Sequence, residues 1–231
     1  MPNVNARWPI IIACTVILTG CAGMQNPKNP NLIHCTNQFK AHKVANYSLA
    51  LQEGDLCLQK NTLSASLQSL VYAVQADAYS NLKRFPEAVV AKEKSMQLDG
   101  KPSPRDNLDL SAMYRDAGNP KKALELVQYN LDNGIGEAGK GTGFHMPTYY
   151  HLGLALTDLG KYREAAEAFS TGLQRQPDYA WAYYARGIAY DHLESQDDAK
   201  ADFMKFSQMV NKSYVKNKHK AKLAEYGISL P

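Results

Sequence analysis

Between residues 148 and 206 the apolar and small positions recur every three or four residues, in successive blocks. Tyr149, Leu152, Gly153 and Leu156 form one set, and Ala165, Phe169 and Leu173 form the next. This spacing puts each set on one face of a helix, so the stretch predicts two consecutive amphipathic helices. Gly153 and Ala165 are small enough to let the two backbones approach. Gly160 relaxes the turn between the helices, and Pro177 ends the second because its nitrogen cannot donate an interior hydrogen bond. The pattern then restarts, with Gly187, Ala199 and Phe203 each standing 34 residues after Gly153, Ala165 and Phe169. One such hairpin cannot bury its own apolar face, so a fixed period of this kind implies a stack of hairpins.

The same slots continue towards the N-terminus. Tyr72, Ala76, Tyr79 and Ala88, with Pro86 opening a second helix, place a repeat at 67–100. Leu110, Ser111, Tyr114, Gly118, Ala123 and Val127 place another at 104–134. From Ala88 to Ala123 is 35 residues, but from Ala123 to Ala165 is 42, and the excess falls in 133–145, where five glycines crowd a loop read as a flexible insert. Ahead of the array, 41–57 predicts one helix with Val44, Tyr47, Leu51 and Leu58 on its apolar face and Ala50 as a small contact. It is read as the second helix of a degenerate leading hairpin over 35–66. Behind the array, 211–231 carries Lys212, Lys216, Lys218, His219, Lys220 and Lys222, with Tyr214, Val215, Leu223 and Tyr226 among them. A stack end needs a cap with a polar outer face. The alternative reading of these lysines is a contact to anionic lipid or to an acidic partner.

With these residues in place, the chain resembles the tetratricopeptide repeat family. The resemblance implies an all-α fold, a TPR-like superhelical solenoid of helical hairpins, with repeats at 67–100, 104–134, 146–179 and 180–210, a leading helix and a C-terminal capping helix. In that family the first helix of each hairpin lines a concave side that binds peptides or helices. Carried over, the inward slots are Leu70, Ala73 and Asp77; Arg105, Leu108 and Ala112; Tyr150, Leu154 and Asp158; and Trp181, Tyr184, Ile188 and Asp191. The lysine, asparagine and arginine with which the family clamps a terminal carboxylate are missing from these slots. The implied partner is a protein or peptide held by Tyr150, Leu154, Trp181, Tyr184, Ile188, Arg105 and Leu108. For Trp181 and Tyr184 the competing reading is packing against the next hairpin or the cap.

The first residues belong to another signal. Arg7 precedes an apolar run over 8–18, too short to span a bilayer comfortably, followed by small residues, which is the layout of a secretory signal at 1–20. Leu18-Thr19-Gly20-Cys21 resembles the lipobox of bacterial lipoproteins. That resemblance implies diacylglycerol on the Cys21 sulfur, cleavage before Cys21 and acylation of the new N-terminus; an ordinary signal peptide with a chance cysteine is the alternative. Ala22 in place of aspartate then implies the outer membrane, facing the periplasm. Residues 21–34, with Pro27, Pro30, Asn26, Asn29 and Asn31, read as a lipidated tether; the thirteen residues after Cys21 reach at most ~45 Å. Only Cys35 and Cys57 remain in the mature chain. An even pair in an oxidising compartment suggests a disulfide, against two buried free thiols.

The chain has 231 residues and a formal net charge of +4, which falls to +3 without the leader because only Arg7 leaves; such a balance says little about partners. Gly134-Ile135-Gly136-Glu137-Ala138-Gly139 matches the dinucleotide fingerprint, and Gly134 to Lys140 has P-loop spacing, but Gly141 stands where serine or threonine must bind magnesium. Both motifs need a preceding strand, and a repeat helix precedes this one. Neither a nucleotide nor a nucleic acid is therefore expected as a partner. The six histidines show no metal-ligand spacing, no serine sits in a nucleophile elbow, and no cofactor is expected. The sequence reads as a non-catalytic outer-membrane adaptor for envelope, pilus or secretion, or cell-wall complex assembly. The second reading is a permanent structural subunit of a pilus or secretion machine, with no exchangeable ligand.

Overall fold

The computed structural model describes residues 32–59, 63–100, 102–133 and 145–230. The leader, Cys21, nearly all of the tether and the glycine-rich insert lie outside the described residues. Among those described the chain is wholly helical, with eleven α-helices and one short 3-10 turn. It divides into two compact units, residues 32–118 and residues 119–230.

The first unit holds α1 (Ile33–Lys43), α2 (Tyr47–Leu58), α3 (Ala65–Asn81), α4 (Phe85–Asp99) and α5 (Pro104–Asp116), each packed against the next. The single helix expected over 41–57 is in fact two. Ala45 turns back with φ 57°, and the Asn46 side chain caps α2 by accepting from the Leu49 N–H at 3.2 Å. Val44 thus sits on the turn, 73% exposed, instead of on an apolar face. Cys35 and Cys57 are both fully buried and joined as a disulfide between α1 and α2, with Cα atoms 4.9 Å apart. Polar side chains fasten the remaining layers. Gln38 Nε2 donates to the Val71 carbonyl at 3.1 Å, the Ser69 hydroxyl donates to the Ser95 carbonyl at 2.9 Å, and Lys92 Nζ lies 2.6 Å from Asp106 Oδ1. Pro86 lies in the first turn of α4, and Ser103 and Asp106 form a reciprocal capping box at the start of α5.

The second unit holds α6 (Pro120–Asp132), α7 (His145–Asp158), α8 (Tyr162–Arg175), α9 (Ala180–His192), α10 (Gln196–Met209), a 3-10 turn (Lys212–Tyr214) and α11 (Asn217–Glu225). Here the 34-residue register has a direct cause. A Cβ added at Gly153 would stand 2.5 Å from Phe169 Cε1, and one at Gly187 would stand 2.8 Å from Phe203 Cε1. Each glycine of the first helix is the seat for a phenylalanine ring of the second, and both rings are fully buried. Within the units the turns between paired helices carry a left-handed residue, which is Gly160 between α7 and α8 but Lys83 between α3 and α4 and Glu194 between α9 and α10.

Candidate partner-binding surface

The apolar inward slots of the second unit are half-buried, while Asp158 is exposed. The Tyr150 ring lies 6.0 Å from Phe169 and 5.2 Å from Tyr179, and Leu154 packs in the same cluster. Trp181 rests on Phe206 at 5.0 Å and on His219 of α11 at 4.9 Å. Tyr184 meets Phe203, Phe206 and the same His219 at 5.5, 5.0 and 5.1 Å. Ile188 joins this cluster around the buried Leu223, while Asp191 lies 2.7 Å from Lys222 Nζ and accepts the Tyr226 hydroxyl. The aromatic face therefore exists, but the C-terminal helix lies on it. In the first unit Leu108 is buried, only 3% exposed, so it packs instead of facing a groove. Arg105 stands at the start of α5, 4.0 Å from Asp109. Asp77 Oδ2 lies 2.6 Å from His42 Nε2 and accepts from Asn81.

An open surface does occur within the first unit. Side chains of α2, α3 and α4 enclose a cleft of about 550 Å³ whose apolar lining includes Leu58, Tyr72, Tyr79, Pro86, Val90 and Ala91. Val90 is 66% exposed, although it is a β-branched residue that fully apolar surroundings would suit. Polar groups are few and fixed. Asp55 Oδ1 accepts from Gln75 Nε2 at 2.7 Å, and the Arg84 guanidinium lies over the Tyr79 ring at 4.6 Å while pairing with Glu87. Burial, with Asp55 nearby, pushes the Tyr79 hydroxyl above its ordinary pKa, so it stays protonated as a donor. A concave, mainly apolar lining with a few oriented polar groups is the usual composition of a recognition site. In the sequence Tyr72 and Tyr79 mark only the repeat register. The available signal was Val90, an apolar residue between Glu87 and Lys94 on an otherwise polar helix face.

Among the described residues no three histidine, cysteine, aspartate or glutamate side chains converge to hold a metal ion. No helix among them is long and apolar enough to cross a membrane.

The fold defines a class, the helical-repeat solenoids built of stacked hairpins. The model of the TPR repeat family matches residues 153–191, the span in which Gly153 and Gly187 repeat, so this stretch carries a tetratricopeptide repeat. Solved structures agree over most of the chain. MamA is 18% identical with a TM-score of 0.60, covering 87% of this chain and 97% of its own. A MamA fragment from Desulfovibrio magneticus RS-1 is 14% identical at TM-score 0.64, covering 81% of this chain and 98% of its own. YrrB, a TPR protein with an unusual peptide-binding site, is 17% identical at TM-score 0.58, covering 90% of this chain and 97% of its own. No curated protein matches the sequence.

Proposed function

We propose that this chain is a non-catalytic, lipid-anchored adaptor that holds a protein partner at the periplasmic face of a bacterial outer membrane. It would serve assembly of an envelope, pilus or secretion, or cell-wall complex. The observation that carries the proposal is the open cleft of the first unit. Tyr79, Leu58 and Val90 leave apolar surface uncovered on a frame of three packed helices, and contiguous uncovered apolar surface marks interaction sites. Its occupant is a segment of a partner protein that buries an apolar side chain against Tyr79 and Val90. YrrB offers a parallel, since peptide binding is described for that TPR protein. The lipid anchor rests on the Leu18 to Cys21 motif, and the Cys35–Cys57 disulfide supports an oxidising compartment.

Two measurements test the parts separately. Cys21→Ser should abolish labelling by a radioactive fatty acid, and unchanged label removes the anchor. For the adaptor, the partner recovered by crosslinking from native envelopes should exchange with added free partner on the timescale of purification. A complex that never exchanges supports the permanent-subunit reading instead.

A further inference from the structure

The C-terminal end of the second unit carries uncompensated positive charge on a fixed frame. Lys212, Lys216, Lys218 and Lys220 are all exposed, and none forms an ion pair among the described residues. Lys222 lies 2.7 Å from both Asp191 and Glu225, so these two carboxylates leave one negative charge against the four exposed lysines and the end stays net positive. Asp197 and Asp198 sit in the first turn of α10, which runs fourteen residues before the lysine segment begins. That helix is ~20 Å long, which sets both carboxylates beyond the ~8–10 Å reach of exposed charges at physiological salt for Lys212, just past its far end.

The segment is held in place. Val215 is buried against the cluster containing Phe206 and Leu223, and the Asn211 side chain accepts from the Ser213 N–H and hydroxyl at 3.0 and 2.8 Å. This local folding presents Tyr214, 37% exposed, between Lys212 and Lys216, with only Asn211, Ser213 and Asn217 as other outward polar groups. Protein–protein interfaces deplete lysine and build on an apolar centre, which this surface lacks. Long lysines around a single tyrosine suit the headgroup layer of a bilayer, where an aromatic ring with a polar tip and cationic side chains are both accommodated.

We infer that Lys212, Tyr214, Lys216, Lys218 and Lys220 form a second membrane contact, which lays the C-terminal end of the protein on an anionic phospholipid surface. The inference rests on the lipid-anchor proposal for its setting, since the anchor brings the chain to a bilayer. The contact adds selectivity for negative headgroups that acyl chains alone do not supply.

The test is partition of the full lipidated chain between phosphatidylcholine vesicles and vesicles that also contain phosphatidylglycerol. Each lysine near an anionic surface is worth roughly a fivefold gain, so the wild type with these four lysines should prefer the anionic vesicles by roughly several hundredfold at low salt. The preference should collapse at high salt. The variant K212Q/K216Q/K218Q/K220Q should bring the ratio close to one while its thermal melt stays unchanged, because none of the four side chains is buried or paired. Equal wild-type partition, or a ratio the variant does not alter, overturns the contact. So does lysine-dependent binding of polyglutamate without any vesicle preference, which would assign the surface to an acidic protein. Failure of the anchor has a different signature: weak binding to neutral vesicles with the anionic preference intact.

Discussion

Arg186 of α9 grips Asp202 of α10 with two parallel hydrogen bonds, Nε to Oδ2 at 2.7 Å and Nη2 to Oδ1 at 2.8 Å. Its third nitrogen, Nη1, donates to the Ser170 hydroxyl of α8 at 2.9 Å, so one side chain ties three helices. The repeat register shows what this pair replaces. One period earlier the same two slots hold Leu152 and Ala168, which pack as apolar core. A bidentate pair mostly withdrawn from water is costly to break from one side, because the surviving charge keeps its desolvation penalty.

Asp202→Ala alone should therefore destabilise the second unit by about 3–5 kcal/mol. The double variant R186L/D202A, which restores the pair found one repeat earlier, should recover to within ~1 kcal/mol of the wild type or exceed it. Urea unfolding of the wild type, the single and the double variant measures this cycle. Additive losses would show that Arg186 and Asp202 do not act as a unit.

The repeat register was legible because each of its slots is set by a contact within one hairpin. Gly153 must be small since Phe169 lies against it, and Gly187 for Phe203, so period 34 is written in the composition itself. What escaped the sequence depends on neighbours further along the chain. The break in the leading helix turns on Ala45 in a left-handed conformation that alanine gives no reason to expect. The sequence puts Trp181 and Tyr184 on one helix face, but only the folded chain shows His219 of α11 lying on both rings. The cleft likewise needs Leu58 of α2 opposite Val90 of α4, a juxtaposition that no local spacing encodes.

The disulfide gives a second expectation. Cys35 and Cys57 close a loop across 22 residues, for which the chain-entropy treatment gives about 3 kcal/mol. C35A/C57A should lower the stability of the first unit by roughly that amount and leave the second unchanged. Differential hydrogen exchange of α1 and α2 against α8 and α9 follows the two units separately. Equal protection of α1 and α2 with and without the bond would mean that packing alone holds the leading hairpin.

The docking of α11 should depend on pH. Burial, then Lys218 and Lys216, hold the His219 imidazole below its ordinary pKa, and its Nδ1 accepts the Lys216 N–H at 3.2 Å, which requires the neutral ring. Undocked, the ring titrates near its ordinary ~6.5, so the released state binds more protons as the pH falls. Docking is thus fully supported above ~6.5 and weakens as pH drops below it. Asp191 stays ionised through that window, because burial of its carboxyl is outweighed by Lys222 and Tyr226, which hold it below the usual range. Hydrogen exchange of α11 amides, corrected for intrinsic rates, should quicken from pH 7.5 to 5 in the wild type and not in His219→Gln. The same acceleration in both would remove His219 as the cause.

The central claim is that the cleft between α2, α3 and α4 receives a partner protein. A photo-crosslinking amino acid at Val90, in the cleft and 66% exposed, can be compared in intact envelopes with one at Val44, outside it and 73% exposed. A discrete protein adduct at Val90, absent at Val44 and lost when Tyr79→Asp places a charge in the cleft, is the expected result. No adduct at Val90, or the same adducts from both positions, would contradict it.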